Sequence, residues 1–410
     1  MKTISLIFAI HLPFRYRKYR FFDIGNNSHY YDDNADKTIV TNMAENCYLP
    51  FNNILLKLLK KYKGRFKVAF SISGTALEMF NLYAPDVIDS FKKLSSTGSV
   101  EFLAETYSHS LVSLADSLLF EKQVKLHGGL IEKYFNQKPK VFRNPGLIYS
   151  DDIGNHIYDM GCNAIFAEST KQVLGLKNPG LLYYNDINPK VKVLIHNRII
   201  SKYIETCCSK KLTPEHPNDA EQLVKQIKAL PENEKLVNLI LNYGTFDKCI
   251  HPEKAISGLW EDFIHLALKS ETIQFSTPSE ITENVKAVSS VHVAKAVSGE
   301  STEHDLAPFL GNEMQQEAFT KLYDLKYKVL LCTDVELLKD WNYLQISDHY
   351  NSMSTDNTSG SKLPHNFSTY DSPYEAFIVY MNVLSDFSLR LDNILTQTIK
   401  KQTNLTKKRC

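Results

Sequence analysis

The sequence predicts an α/β fold in which repeated strand–helix units build a parallel, barrel-like sheet, followed by a helical region. Three observations predict it. Apolar runs of strand length alternate with stretches of helical spacing through the first two thirds of the chain. Roughly seven such units fit within about 285 residues, which suits a closed ring of strands better than an open sheet. From about residue 285 the pattern changes to long helical stretches without strands between them.

In order, residues 3–10 are a continuous apolar strand, and residues 52–62 carry Ile54, Leu55, Leu58 and Leu59 on one helical face. Residues 66–71 read as a second strand and 76–94 as one helix. Residues 99–103 form a third strand, and 118–135 a helix. Residues 140–143 are a short fourth strand, followed by a helix over 153–160 that Gly161 stops. Residues 164–167 and 192–195 are the fifth and sixth strands. A helix over 220–230 ends at Pro231, residues 236–241 are the seventh strand, and 253–269 is a further helix. Pro278 opens a short helix. The expected division is a barrel over 1–285 and a helical domain over 286–410. In the latter, 305–326 and 372–395 are long helices, 352–361 is a loop rich in Ser, Thr, Asn and Gly, and 400–410 is a frayed basic tail.

The composition narrows the partners. With 410 residues the chain exceeds the size at which one core stops growing, so a large domain and a smaller one are expected. Its 47 basic and 46 acidic side chains leave a net charge of +1, which provides no field for steering nucleic acid or an anionic membrane. The basic–aromatic cluster 15–20 reads as a solvated loop. Twenty-two Tyr and twenty-two Phe offer flat amphipathic surfaces that suit an uncharged partner. Seven scattered cysteines without a Cys-x-x-Cys pair suit reduced thiols and a cytoplasmic location. The N-terminal apolar run is too short for a signal peptide and lacks a cleavage site. No run approaches the ~20 residues of a membrane helix.

In such a barrel the chemistry lies at the C-terminal ends of the strands. These ends carry His11-Leu12-Pro13 after the first strand and Ser71-Ile72-Ser73-Gly74 after the second. Glu101 and Glu105 lie in and after the third, Phe142-Arg143-Asn144-Pro145-Gly146-Leu147-Ile148-Tyr149 follows the fourth, Glu168 the fifth, and Asn242-Tyr243-Gly244-Thr245-Phe246-Asp247 the seventh. These strings, with Gly98-Ser99-Val100-Glu101 and Ser347-Asp348-His349, resemble the sequence regions of glycoside hydrolase family 57, in its α-amylase branch. The resemblance runs from about residue 4 to about 390. It implies an incomplete, TIM-like (β/α)7 barrel with a C-terminal helical domain, an α-1,4-glucan or maltooligosaccharide ligand, and a retaining mechanism without cofactor or metal.

A retaining glycosidase needs two carboxyl groups, one to attack the anomeric carbon and one to donate and recover a proton. By the resemblance, the nucleophile position is Gly146 and the acid/base position is Asn242, with a neighbouring carboxylate replaced by Gly244. Glycine offers no nucleophile and an amide no acidic proton. A third departure is His196, with Lys202 and Tyr203, where the active branch carries an Arg and an Asp pair. No catalytic residue is therefore intact. His11, Glu101, Arg143, Asp348 and His349 are the expected glucan contacts.

The expectation is a catalytically degenerate member that acts by binding glucan or a partner, with an active paralogue as a candidate. Two alternatives stand beside it: a weak hydrolase or transferase using relocated carboxylates such as Glu101, Glu105, Glu168, Asp151 or Asp152, and a scaffold without ligand. Paired Asp residues and a His-x-x-x-His, as in metal-dependent deacetylases built on a related barrel, are missing from the 70–74 segment and from the thirteen histidines, so no metal is expected.

Overall fold

Among the described residues, ten strands carry the architecture: β1 (Lys2–Ile10), β2 (Val68–Ile72), β3 (Val100–Phe102), β4 (Val141–Phe142), β5 (Ala164–Ala167), β6 (Tyr183–Asn185), β7 (Lys192–Ile195), β8 (Leu236–Asn242), β9 (Ile273–Phe275) and β10 (Ser290–Val291). The computed structural model describes residues 1–209, 219–244, 254–299, 305–355 and 370–407. They fall into two compact units. The first comprises Met1–Leu12, Lys37–Tyr107 and Asp116–Gly299, and the second Pro13–Asp36, Ser108–Ala115 and Glu300–Cys410. The units thus interleave along the chain, whereas the sequence reading divides it once, after residue 285.

In the first unit, one sheet has the order β3-β2-β1-β8 with β9 also on β1, and the other has the order β10-β6-β7-β5-β4. All pairs are parallel except β6 with β7. Isolated parallel bridges, Ala104 with Phe142 and His196 with Asn238, join the sheets at two seams. Seven parallel strands (β1–β5, β7 and β8) thus build the expected incomplete barrel, two sheets that meet only through single bridges and do not close into a continuous ladder. Alternation along β1 sorts its side chains. Ile7 faces an interior cluster with Ala69, Leu103, Val141, Phe166, Leu194 and Ile240. Phe8 faces outward, with ring centroids 5.4–5.7 Å from Phe51, Phe70, Tyr243 and Trp260. Burying each such ring stabilises the unit by roughly 1.5–3 kcal/mol.

Most helices lie where the spacing predicts, and the exceptions have local causes. The helix expected over 76–94 is two helices, Gly74–Tyr83 and Pro85–Ser95, because Pro85 drives Ala84 out of the helical region to φ −150°, ψ 62°. Gly74 is required where it stands, since a Cβ there would lie 2.2 Å from the Tyr107 ring.

The second unit is helical. The stretch expected as one helix over 305–326 breaks after helix Ala307–Leu310, at Asn312. Its side chain accepts from Gln315 N and starts helix Glu313–Asp324 with a reciprocal capping box. The last helix runs Pro373–Lys407, well into the expected frayed tail. No Gly or Pro interrupts it after its first residue. Most of the expected loop over 352–361 lies outside the described residues. Inside this unit Arg15 and Asp36 form a buried ion pair at 2.6 Å, and Arg390 bridges Asp340 and Tyr30. Among the described residues no helix is long and apolar enough to cross a membrane.

Candidate functional site

At the C-terminal end of β1, the His11 ring turns back onto the second strand end, with Nδ1 2.9 Å from Ser73 Oγ. Ser73 is itself the cap of helix Gly74–Tyr83 and accepts from Ala76 N, so the cap fixes the imidazole as well as the helix. His11 remains half-buried.

After β3, Glu105 is fully buried. Its carboxylate accepts from Ser71 Oγ, and Arg143 Nη1 stands 3.6 Å from the same oxygen. Its backbone amide donates to His127 Nδ1 at 3.3 Å, while His127 Nε2 donates to Ile72 O at 2.8 Å. That ring is therefore neutral, and burial holds its pKa below the usual value. Arg143 is drawn into the same array, with its side chain only 11% exposed.

Glu101 lies elsewhere. It pairs with Ala69 in the strand register, and its carboxylate accepts from Ser279 N at 2.9 Å and Ser279 Oγ at 2.5 Å. Ser279 starts helix Pro278–Asn284, which follows β9, and β9 pairs with Lys2–Ile4 at the beginning of β1. Glu101 therefore sits toward the N-terminal end of the barrel as an anchor for a helix start. The expectation that it lines the cleft is corrected: four residues of strand separate it from Glu105, about 13 Å along the sheet. Burial raises its pKa against the opposing Ser279 hydrogen bonds.

Gly146, the position that by the resemblance matches the nucleophile, is buried. Its backbone is left-handed, with φ 56°, ψ 17°, and Leu147 follows at φ 50°. Its carbonyl accepts from Ser298 Oγ at 3.0 Å and from Gly299 N at 2.9 Å. Two backbone bonds between Tyr149 and Val297, each 3.0 Å, hold that covering segment down.

Glu168, at the end of β5, has Oε2 3.0 Å from His196 Nδ1, and its other oxygen accepts from Ser169 N and Oγ. A carboxylate only accepts, so His196 Nδ1 carries a proton. Nε2 lies 2.9 Å from Ser201 Oγ. Burial pushes the Glu168 carboxyl up, but the hydrogen bond and charge of His196 outweigh it and hold the group below the usual carboxylate range. At the end of β8 the exposed Asn242 folds onto its own turn, with Oδ1 accepting from Gly244 N at 3.0 Å. Its backbone N–H points to Glu205 Oε1 at 3.4 Å, and burial raises the Glu205 carboxyl.

In the second unit, Asp348 and His349 lie on helix Ser347–Ser352. The His349 ring is buried, stacks on Tyr16 at 4.3 Å and 6°, and donates from Nε2 to Tyr343 O at 3.1 Å. Asp348 is half-buried, and its carbonyl accepts from Ser352 Oγ.

The structure thus gathers Arg143 with Glu105 and Ser71, joins His11 to Ser73, and separates Glu101 from both. Sequence reading missed Glu205, Ser201 and Ser298. Each reaches the strand ends from a neighbouring helix or segment, and no spacing announces that.

Comparison with known proteins agrees with this architecture. The model of glycosyl hydrolase family 57 matches residues 5–294. A curated Methanocaldococcus jannaschii protein, "Putative alpha-amylase", is 30% identical over 424 residues, covering 98% of this chain and 88% of its own. Two crystal structures share the fold. The family 57 branching enzyme of Thermococcus kodakaraensis superposes with a TM-score of 0.70 at 13% identity, over 97% of this chain and 91% of that one. The branching enzyme of this type from Pyrococcus horikoshii gives 0.68 at 15% identity, over 94% and 88%.

Proposed function

The chain belongs to glycosyl hydrolase family 57, and we propose that it is an α-glucan-binding member that has lost the family's hydrolytic step. The observation that carries this reading is Gly146. The position that resembles the nucleophile has no side chain, is buried, and lies under Ser298 and Gly299. The opposite position, Asn242, spends its amide oxygen on its own turn. Neither nucleophilic attack nor proton donation is available there.

What remains suits binding. His11 and Arg143 keep polar atoms at the strand ends, and Ser73, Glu105 and Ser71 fix their orientation, so a sugar hydroxyl meets preorganised partners. Asp348 and His349, which lie on the second unit, are proposed separately as glucan contacts. The ligand is an α-1,4-glucan or maltooligosaccharide, and the chain acts by binding glucan or a partner, with an active paralogue as the candidate partner, rather than by cleaving glucan. A native gel containing glycogen tests this: retardation without release of reducing ends supports it. Neither retardation nor release would leave a scaffold without ligand.

One observation favours a second reading, catalysis by relocated carboxylates. Glu168 and Glu205 have environments that push their pKa values in opposite directions, His196 lowering the first and burial raising the second, as acid–base pairs need. Against it, both oxygens of Glu168 are already engaged. Turnover by the wild-type chain, lost in Glu205→Gln, would establish that reading instead.

A further inference from the structure

Asp151, Asp186 and His292 come from three separate strand ends of the first unit. Asp151 opens helix Asp151–Asp159 after β4, Asp186 follows β6, and His292 follows β10. Their ligand atoms all lie within 4.8 Å of one another, the sole such group of three among the described residues. His292 Nδ1 is 2.9 Å from Asp151 Oδ2 and 3.2 Å from Asp186 Oδ2.

We propose that these three side chains form a binding site for one divalent first-row transition ion, such as Mn2+ or Co2+, on the flank of the barrel. The geometry carries it. Protein ligands bind such ions at about 2.0–2.2 Å, which puts neighbouring ligand atoms of a tetrahedral or octahedral ion about 2.9–3.5 Å apart. Both measured separations fall in that interval. An imidazole Nδ1 has one in-plane direction for a proton or lone pair, so it makes one straight hydrogen bond, yet two different carboxylates converge on it. A cation in the common focus satisfies all three.

The deepest ligand is also built in advance. Asp151 is 4% exposed, and Oδ2 takes the amide of Val293 at 2.8 Å. The Tyr149 hydroxyl approaches Oδ1 at 3.4 Å and is itself fixed by Asn185 Nδ2 at 2.9 Å, an orienting layer of the kind metal ligands need. Asp186 and His292 are 42% and 69% exposed, so water would complete the coordination. Imidazole with two carboxylates selects a transition ion over Ca2+ or Mg2+. The ion would tie the segment after β10 to the ends of β4 and β6. The inference does not depend on glucan binding.

The test uses the full chain after treatment with a chelator, titrated with Mn2+ and followed by loss of the free-ion electron paramagnetic resonance signal, with Co2+ absorption in parallel. Mn2+ avoids thiolates, which removes the seven cysteines as competitors. One ion per chain is expected, with affinity falling at least tenfold in His292→Ala and in Asp186→Asn. Both residues are surface-exposed, so the variants keep the fold. His29→Ala, in the exposed His29–Asp33 pair, serves as the control and is expected to bind as wild type does. If neither ion binds at one per chain, or if His292→Ala binds as the wild type does, the three groups are an imidazolium bridge only and the proposal fails.

Discussion

Ser298 donates its hydroxyl to the carbonyl of Gly146 at 3.0 Å, and this bond covers the position where the family's nucleophile would stand. At this position the chain carries a buried glycine with left-handed backbone, so a side chain introduced there meets a backbone arranged for glycine.

Restoring the side chain is expected to destabilise the protein. Gly146 has φ 56°, a conformation that costs other residues roughly 1–2 kcal/mol, so Gly146→Ala should lose about that much in denaturant unfolding. Gly146→Glu should lose more, about 3 kcal/mol or above, because it also buries an unpaired carboxylate. The triple variant with Asn242→Asp and Gly244→Glu should stay inactive toward maltooligosaccharides.

The Glu168–His196 pair predicts an acid-side stability slope. The folded carboxyl is held below its unfolded value, so its contribution is present above the ordinary carboxylate range. It is lost as the pH falls through the folded value. Glu168→Gln should cost about 1.5–3 kcal/mol near neutral pH and flatten that slope. Urea unfolding from pH 3 to 7 measures both effects.

Glu101 should behave as a structural residue. Glu101→Ala strips Ser279 of both its acceptor contacts and should lower stability by about 1–2 kcal/mol while leaving glycogen retardation unchanged. A selective loss of retardation with unchanged unfolding would return Glu101 to the cleft.

His11→Ala should do the reverse. The ring is half-buried, and Ser73, which it contacts, keeps its capping role without it. Glucan affinity should fall about tenfold, equivalent to about 1.4 kcal/mol, with little change in unfolding. Affinity electrophoresis against glycogen concentration gives the ratio.

Much of this was legible in the sequence where local chemistry decides. The apolar runs that became β1, β5, β7 and β8 are bounded within a residue or two, and the incomplete barrel of seven strands follows from their alternation with helices. Gly146 is visible in the string Phe142-Arg143-Asn144-Pro145-Gly146, whereas its burial beside residues 297–299 is not. The covering bond joins residues 152 apart in the chain. Short strands such as Tyr183–Asn185 carry too little periodicity to register and exist because β7 pairs with them. Helix Arg198–Ser209, rich in β-branched isoleucines, went unread although Asn197 caps its start by accepting from Ile200 N, and Ser201 and Glu205 went unread with it. Glu101 misled because alternation gives the face of a strand and says nothing of height along it.

The central claim is recognition of α-glucan without its cleavage, and length analysis of maltoheptaose tests it most directly. Purified wild-type chain is titrated calorimetrically with maltoheptaose, and the same mixture is then incubated and resolved by chain length. Length analysis detects transfer as well as hydrolysis, since transfer releases no net reducing ends. Saturable heat with maltoheptaose recovered intact is the predicted result. Shorter or longer oligosaccharides, or no saturable heat, would contradict the account.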